Sequence, residues 1–246
     1  MNKDASGIDL VIGAKGSPLQ LVLSSVYHVD FPTGNIPLKE AQKVSRNRLI
    51  KNAIPMALGD NYEGFRIVGS NHDYLNIYQA ELIDGKKWEK PFEVVDQHAF
   101  QVVGILAPSN NVLDQLIVTS VESVWYAHDE EIGSEKLGNQ VNATGFPESD
   151  ETRELTTVLI AYRSPMAAIQ LPRMINGRTS LQAASPTFEM SRLFELLGIG
   201  VVVMKGLALL IIFIAGLGIF IALYNSMKER KYDLAVMRAI GAAKIQ

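Results

Sequence analysis

Gly206-Leu-Ala-Leu-Leu-Ile-Ile-Phe-Ile-Ala-Gly-Leu-Gly-Ile-Phe-Ile-Ala-Leu-Tyr-Asn-Ser-Met227 is a run of 22 residues without one formal charge. As a helix rising ~1.5 Å per residue it is ~33 Å long, enough to cross a ~30 Å hydrocarbon layer. Leu207 to Ala215 is apolar on every face. The core helix of a soluble protein can share that pattern, but such helices rarely run so long. Gly206, Gly216 and Gly218 are candidate packing positions, because small residues let a neighbouring membrane helix approach closely. Glycine is also simply common in membrane helices.

The flanks give this span a direction. Lys228, Arg230, Lys231, Arg238 and Lys244 follow it, whereas Arg192 and Lys205 are the nearest basic residues before it. The positive-inside rule puts the tail in the cytoplasm and residues 1 to about 200 outside it, periplasmic or extracellular. Lys205 then lies at the outer edge, where its stem can reach the interface. Apolar residues from Phe188 to Val203 also recur at helical spacing, so one long helix is expected over 187–230, with the span at about 206–227.

The remainder has ordinary globular composition in a chain of 246 residues. Net charge is −3, which gives no nucleic-acid signature. There is no cysteine, hence neither a disulfide framework nor a thiolate metal site. Met1 to Gly7 is polar and lacks the apolar core of a signal peptide.

Before the span, strands and helices alternate. Ile8–Ile12 reads as a strand and Gly13-Ala-Lys-Gly-Ser-Pro18 as a turn; Leu19–Val26 fits a helix or a second strand. The lysine lies between the two glycines, so the Walker pattern fails and the turn is no phosphate cradle. Phe31–Pro37 reads as a turn and Leu38–Ala53 as an amphipathic helix. Ala53–Leu58 and Phe65–Gly69 read as strands around the turn Gly59–Gly64. A short helix over Leu75–Leu82, strands over Phe100–Leu106 and Leu116–Ser120, and a helix over Val121–His128 follow. Residues 129–154 are acidic and read as a solvated loop. Thr156–Tyr162 is the clearest strand, and Pro165–Asn176 reads as a helix interrupted at Pro172.

This outer region carries no visible catalytic signature. His28, His72, His98 and His128 show no i, i+3 or i, i+4 pairing, so there is no local zinc motif, though the sequence leaves open whether they converge in space. No acidic spacing singles out a catalytic pair, and no serine sits in a nucleophile elbow. Catalytic, cofactor and metal residues are therefore unassigned. A binding, gating or force-transmitting role is favoured over an enzymatic one.

The tail is more specific. Met227 to Gly241 reads as an amphipathic helix with Leu234, Met237 and Ile240 at i, i+3 and i+6, and Gly241 as its C-terminal stop. Such a helix can lie on anionic lipid or dock in a groove of a cytoplasmic partner.

Glu229-Arg-Lys-Tyr-Asp-Leu-Ala-Val-Met-Arg-Ala-Ile-Gly-Ala242, directly after an apolar span, resembles the FtsX-like permease family, the membrane subunits of MacB- and LolCE-type ABC transporters. That family carries E-R-x-x-E-x-a-x-x-R-A-x-G-A after its second membrane helix. Glu229, Arg230, Asp233, Arg238, Gly241 and Ala242 match, with Asp233 in place of the commoner Glu. Ile8 to Gln20, Gly85-Lys-Lys-Trp88, Phe100 to Leu106 and Val124-Trp-Tyr-Ala-His128 resemble landmarks of the MacB-like periplasmic core domain. Glu93–Phe100 is shorter than the corresponding stretch of similar proteins, which carries a helix and a glycine- and histidine-rich loop.

The resemblance implies an α+β, two-lobed periplasmic domain followed by a long stalk and transmembrane helix and a short cytoplasmic amphipathic helix. Residues 1–68 and 154–190 are expected to form a membrane-proximal lobe, residues 69–153 an inserted distal lobe, and residues 228–246 the coupling segment. The family has four membrane helices, so the chain is expected to begin after the first and end after the second. The implied role is a non-catalytic permease subunit of the bacterial inner membrane, for export, extraction or mechanotransmission. ATP and Mg would sit on a partner ATPase. Glu229, Arg230, Asp233, Met237, Arg238, Ile240 and Gly241 are the expected ATPase-coupling residues. Implied partners are that cytoplasmic ATPase, a second permease copy or paralogue, membrane lipid and a periplasmic protein. The alternative is a single-pass receptor or sensor with an extracytoplasmic binding domain.

Overall fold

The computed structural model describes residues 3–90, 101–128, 141–148 and 152–241. In chain order the elements are β1 (Leu10–Ala14), α1 (Pro18–Ser25), β2 (Ile36–Pro37), α2 (Leu38–Ser45), β3 (Ile50–Tyr62), β4 (Phe65–Gly69), α3 (His72–Ile77) and β5 (Leu82–Gly85). They continue with β6 (Gly104–Leu106), β7 (Leu116–Thr119), α4 (Val121–His128), β8 (Glu154–Leu155), β9 (Thr157–Tyr162), α5 (Pro165–Arg178), β10 (Leu181–Ala184) and α6 (Pro186–Ala239). The chain is a mixed α/β sheet domain followed by a long apolar helix. It divides into two compact units, Met1–Ser191 and Arg192–Gln246.

In the first unit six strands form one sheet in the order β10-β1-β9-β3-β4-β7. All neighbours are antiparallel except β4 and β7, which run parallel. Alternate residues of the central strands enter different cores, as the twofold strand period requires. Leu10, Ile12, Val158 and Ile160 join the core under α2, α4 and α5, with Ala41, Val124 and Leu171. Val11, Leu159, Ile54 and Met56 join the core under α1 and α3, with Leu21, Val22 and Leu75. Helices cover both faces, which is why Thr157–Tyr162 reads as a nearly unbroken apolar run rather than an alternating one.

Several expected elements are corrected. The cluster Gly13–Pro18 is the end of β1 plus a helix start. Ser17 Oγ accepts from Gln20 N at 3.3 Å and Pro18 occupies the first turn, so Leu19–Val26 resolves as helix. The helix expected to Ala53 ends at Ser45. There Asn47 N donates to Val44 O and Asn47 Oδ1 accepts from Leu49 N, diverting the backbone into β3. The turn expected over Gly59–Gly64 is mostly strand. Only Glu63 and Gly64 lie between the two strands, with φ of 48° and 90°, the two positive values that match a tight hairpin to strand twist, while the register shifts at a bulge between Leu58 and Asn61.

Leu75–Leu82 is not one helix: α3 starts at His72, capped by Asn71, and Leu82 already belongs to β5. Pro172 does not interrupt α5. Its missing bond frees the carbonyl of Ala168, an exposed residue. Within Phe100–Leu106 the strand is Gly104–Leu106, and β2, β8 and β10 were not anticipated. Gly69 allows the close approach of α4 to β4: a Cβ there would lie 2.6 Å from Val124 Cγ2 and 2.7 Å from Ser120 O. Glu93–Phe100 and most of the acidic stretch 129–154 lie outside the described residues.

Arg192–Gln246, the second unit, is described as helix to Ala239. α6 as a whole is one 54-residue helix. Its apolar window has mean hydropathy 2.8 and no buried residue. By length and composition it is long and apolar enough to cross a membrane.

Candidate functional site

α6 begins at Pro186, one residue before the expected start, and continues through the span and the coupling segment without a break. It ends at Ala239. Ile240 N still donates to Val236 O at 3.1 Å, Gly241 N turns back to Arg238 O at 3.2 Å, and Gly241 takes φ +94°, a conformation that favours glycine after a helix. Ala242 and Lys244 lie outside the described residues.

Helical geometry sorts the expected coupling residues. At ~100° per residue, Glu229, Asp233 and Met237 recur at i, i+4 and i+8, with Arg230 at the far edge of the same ~100° arc and Ile240 falling between Glu229 and Asp233. Arg238 lies ~100° round from Met237, off that arc. Met237, Leu234 and Ile240 are all exposed, Ile240 at 80 %. Lys228 Nζ stands 5.4 Å from the ring centre of Tyr224, placing a cation over an aromatic face where the span ends. The arc thus combines two carboxylates, a guanidinium and two apolar side chains that contact nothing else described. Such a surface can dock in a groove with an apolar floor and charged walls.

The three span glycines do not share one face. Gly216 and Gly218 are two residues apart and so point ~200° away from each other, while Gly206 lies ~80° from Gly216. A Cβ built at any of the three meets nothing within 4 Å. Each is therefore open to a neighbour that the described residues do not supply.

The histidines lead to structural rather than catalytic settings. His28 Nε2 is 3.0 Å from the Tyr74 hydroxyl, and its buried Nδ1 has no hydrogen-bond partner. The residue edge is partly accessible, but Nδ1 is not. Burial, reinforced by the Arg66 charge, lowers the His28 pKa from 6.5 to about 3, so the ring is neutral. Burial likewise raises Tyr74 and Tyr78, whose rings meet edge to face at 5.3 Å; Tyr78 donates to Asp4 O at 2.9 Å. His72 Nε2 lies 2.9 Å from Trp88 O, with its ring edge-on to the indole at 4.9 Å. His98 and the His128 side chain lie outside the described residues. Among the described residues no group of three His, Cys, Asp or Glu could hold a metal.

Sequence reasoning missed the His28–Tyr74 pair and the Arg153 guanidinium over Trp125, 5.6 Å from the ring centre. His28 and Tyr74 are 46 residues apart, and no local spacing could have joined them.

No family model matches the chain, and no curated protein matches it. Among solved structures, the chain is similar to the periplasmic region of MacB from Actinobacillus actinomycetemcomitans, at 9 % identity and a TM-score of 0.44, covering 78 % of this chain and 96 % of that one. It is also similar to the extracellular domain of the noncanonic ABC-type transporter YknZ from Gram-positive bacteria, at 11 % identity and a TM-score of 0.37, covering 72 % of this chain and 99 % of that one.

Proposed function

We propose that this chain is the membrane subunit of a bacterial ABC transporter, in which a separate ATPase drives movements of an extracytoplasmic domain. The observation that carries the reading is the continuity of α6. One helix holds an apolar span and, without a break, Glu229, Arg230, Asp233 and Met237, with Ile240 in the turn directly after it. A helix transmits axial or rocking displacement along its length because each backbone bond ties one turn to the next. A push received by the arc would therefore reach the other end of the span.

The FtsX-like motif in Glu229 to Ala242 supports the ATPase as the partner, and the basic flank supports a cytoplasmic tail with residues 1 to about 200 outside. ATP and Mg belong to the ATPase in this reading. A second permease copy, close packing at Gly206, Gly216 or Gly218, and the partition into lobes 1–68 with 154–190 and 69–153 belong to the same proposal. So does transport or mechanotransmission without passage through a pore in this chain.

The test is co-purification of the protein with its ABC ATPase. Met237→Asp and Ile240→Asp put carboxylates onto the apolar part of the arc and should each reduce recovery of the ATPase at least about tenfold. Ala235→Asp, off the arc, should leave it intact. Equal recovery with all three would refute docking at this segment and leave the receptor reading standing.

A further inference from the structure

A cleft of about 360 Å³ opens in the first unit between the β5–β6 hairpin and β7. Its floor is the underside of a hydrophobic core: Leu75, Trp88, Leu113 and Val118. Its mouth is apolar as well, formed by Tyr62, Leu82, Val102 and Ile105, all of them more than a third exposed. Exposed apolar side chains at the rim of an open apolar cleft are an arrangement found at ligand sites rather than in filled cores.

The charged groups of the lining are already engaged within the chain. Lys86 Nζ pairs with Glu89 Oε2 at 2.8 Å, and Lys87 Nζ donates to Asn76 Oδ1 at 3.1 Å. Asp114 accepts from Ser109 N, Ser109 Oγ and Asn110 N, and those bonds hold its pKa below the ordinary carboxylate value. A charged ligand would have to compete with these partners, whereas a neutral one would not. The volume lies at the lower end of the range for small-molecule pockets and is too small to seat a folded element of another protein.

We propose that this cleft binds a neutral, predominantly apolar small molecule or ligand moiety, with an aromatic or alicyclic group seated against Trp88. Apolar burial supplies the affinity, and the cost of taking a carboxylate or phosphate out of water into an apolar cleft disfavours charged ligands. The site is independent of the coupling segment, so its failure would leave the transporter proposal untouched.

Trp88 and Trp125 are the two tryptophans of the chain, and α6 has none. In Trp125→Phe protein, Trp88 fluorescence therefore reports the cleft alone, even with the full chain reconstituted in lipid. The probe is 4-bromobenzyl alcohol, a neutral aromatic whose bromine quenches indole on contact, with 4-bromobenzoate as the charged control. The expected result is saturable quenching by the alcohol, with half-saturation by the benzoate at least about tenfold higher. Ile117→Phe, which fills the cleft, should raise the half-saturation for the alcohol about tenfold. Ile105→Glu, at an exposed rim position that leaves the core intact, should also weaken binding, so a folding failure of the filled variant does not decide the outcome. Linear, non-saturating quenching, or saturation unchanged by both variants, would overturn the proposal. Tighter binding of the benzoate would overturn the ligand class.

Discussion

Leu10 and Ile12 in β1 are buried in the core under α2, α4 and α5, whereas Leu210 and Ile212 in α6 are 55 % and 65 % exposed. The side chains are of the same kind; their surroundings are opposite. The sheet domain makes its own apolar interior by alternating residues into two cores. The helix carries an apolar surface that nothing in the described chain covers. At ~25 cal/mol per Å², that much exposed hydrocarbon calls for an apolar covering, which the bilayer of the proposed reading supplies. The first region is therefore stabilised by its own packing, and the second by where it is placed.

Acid should separate the two regions most strongly. Neutral His28 is stabilised in the fold, so its pKa falls from 6.5 to about 3. The sign follows directly: between these values the unfolded chain binds a proton that the fold refuses. The His28 contribution is complete above pH 6.5 and is lost as pH falls toward 3. A shift of about 3.5 units at ~1.4 kcal/mol each amounts to about 5 kcal/mol at most. Thermal melts of the sheet domain should drop steeply across that window while the helical signal of lipid-embedded α6 persists. His28→Asn can occupy the positive φ of 53° and carries no titrating group; its shorter amide gives up the Tyr74 contact and so lowers stability at every pH, but it should flatten the pH slope. An unchanged slope would remove His28 as the cause.

A charge in the span should strike the other region alone. Ile212→Asp should cost about 3 kcal/mol of insertion free energy, read as protein released by alkaline extraction of membranes. The sheet domain of the same variant should melt where the parent does. Loss of the domain melt would mean that α6 contributes to its core.

The mildest contrast uses one chemical change in two places. Leu10→Ala should destabilise the domain by about 3 kcal/mol, because it leaves a cavity in a packed interior. Leu210→Ala, at a position 55 % exposed among the described residues, should leave the domain melt within about 0.5 kcal/mol of the parent. Equal effects would erase the distinction between the regions.

The same contrast explains what could be read from sequence. α6 was legible because an uncharged run of 22 residues has few other fates, and β9 because a strand covered on both faces is apolar throughout. Leu49 and Ile50 misled because their spacing continues the apolar face of α2, although Asn47 ends that helix first. Gly59 to Tyr62 has turn composition, yet β4 supplies a partner ladder that extends β3 through it. Tertiary pairing decided both cases, and local composition does not encode it. The proposed coupling residues could be named from sequence because they lie within one continuous motif resembling that of the FtsX-like permeases. The His28–Tyr74 pair and the cleft at Trp88 were invisible because they join distant segments.

The central claim is that α6 crosses the membrane with its tail in the cytoplasm. The chain contains no cysteine, so one introduced thiol is a unique reporter. Single-cysteine proteins Thr187→Cys and Tyr232→Cys, treated in cells whose outer barrier is opened but whose inner membrane is intact, should react differently with a membrane-impermeant maleimide. The account predicts labelling at 187 at once, and at 232 only after the inner membrane is permeabilised. Labelling of both positions before permeabilisation, or of 232 alone, would contradict it.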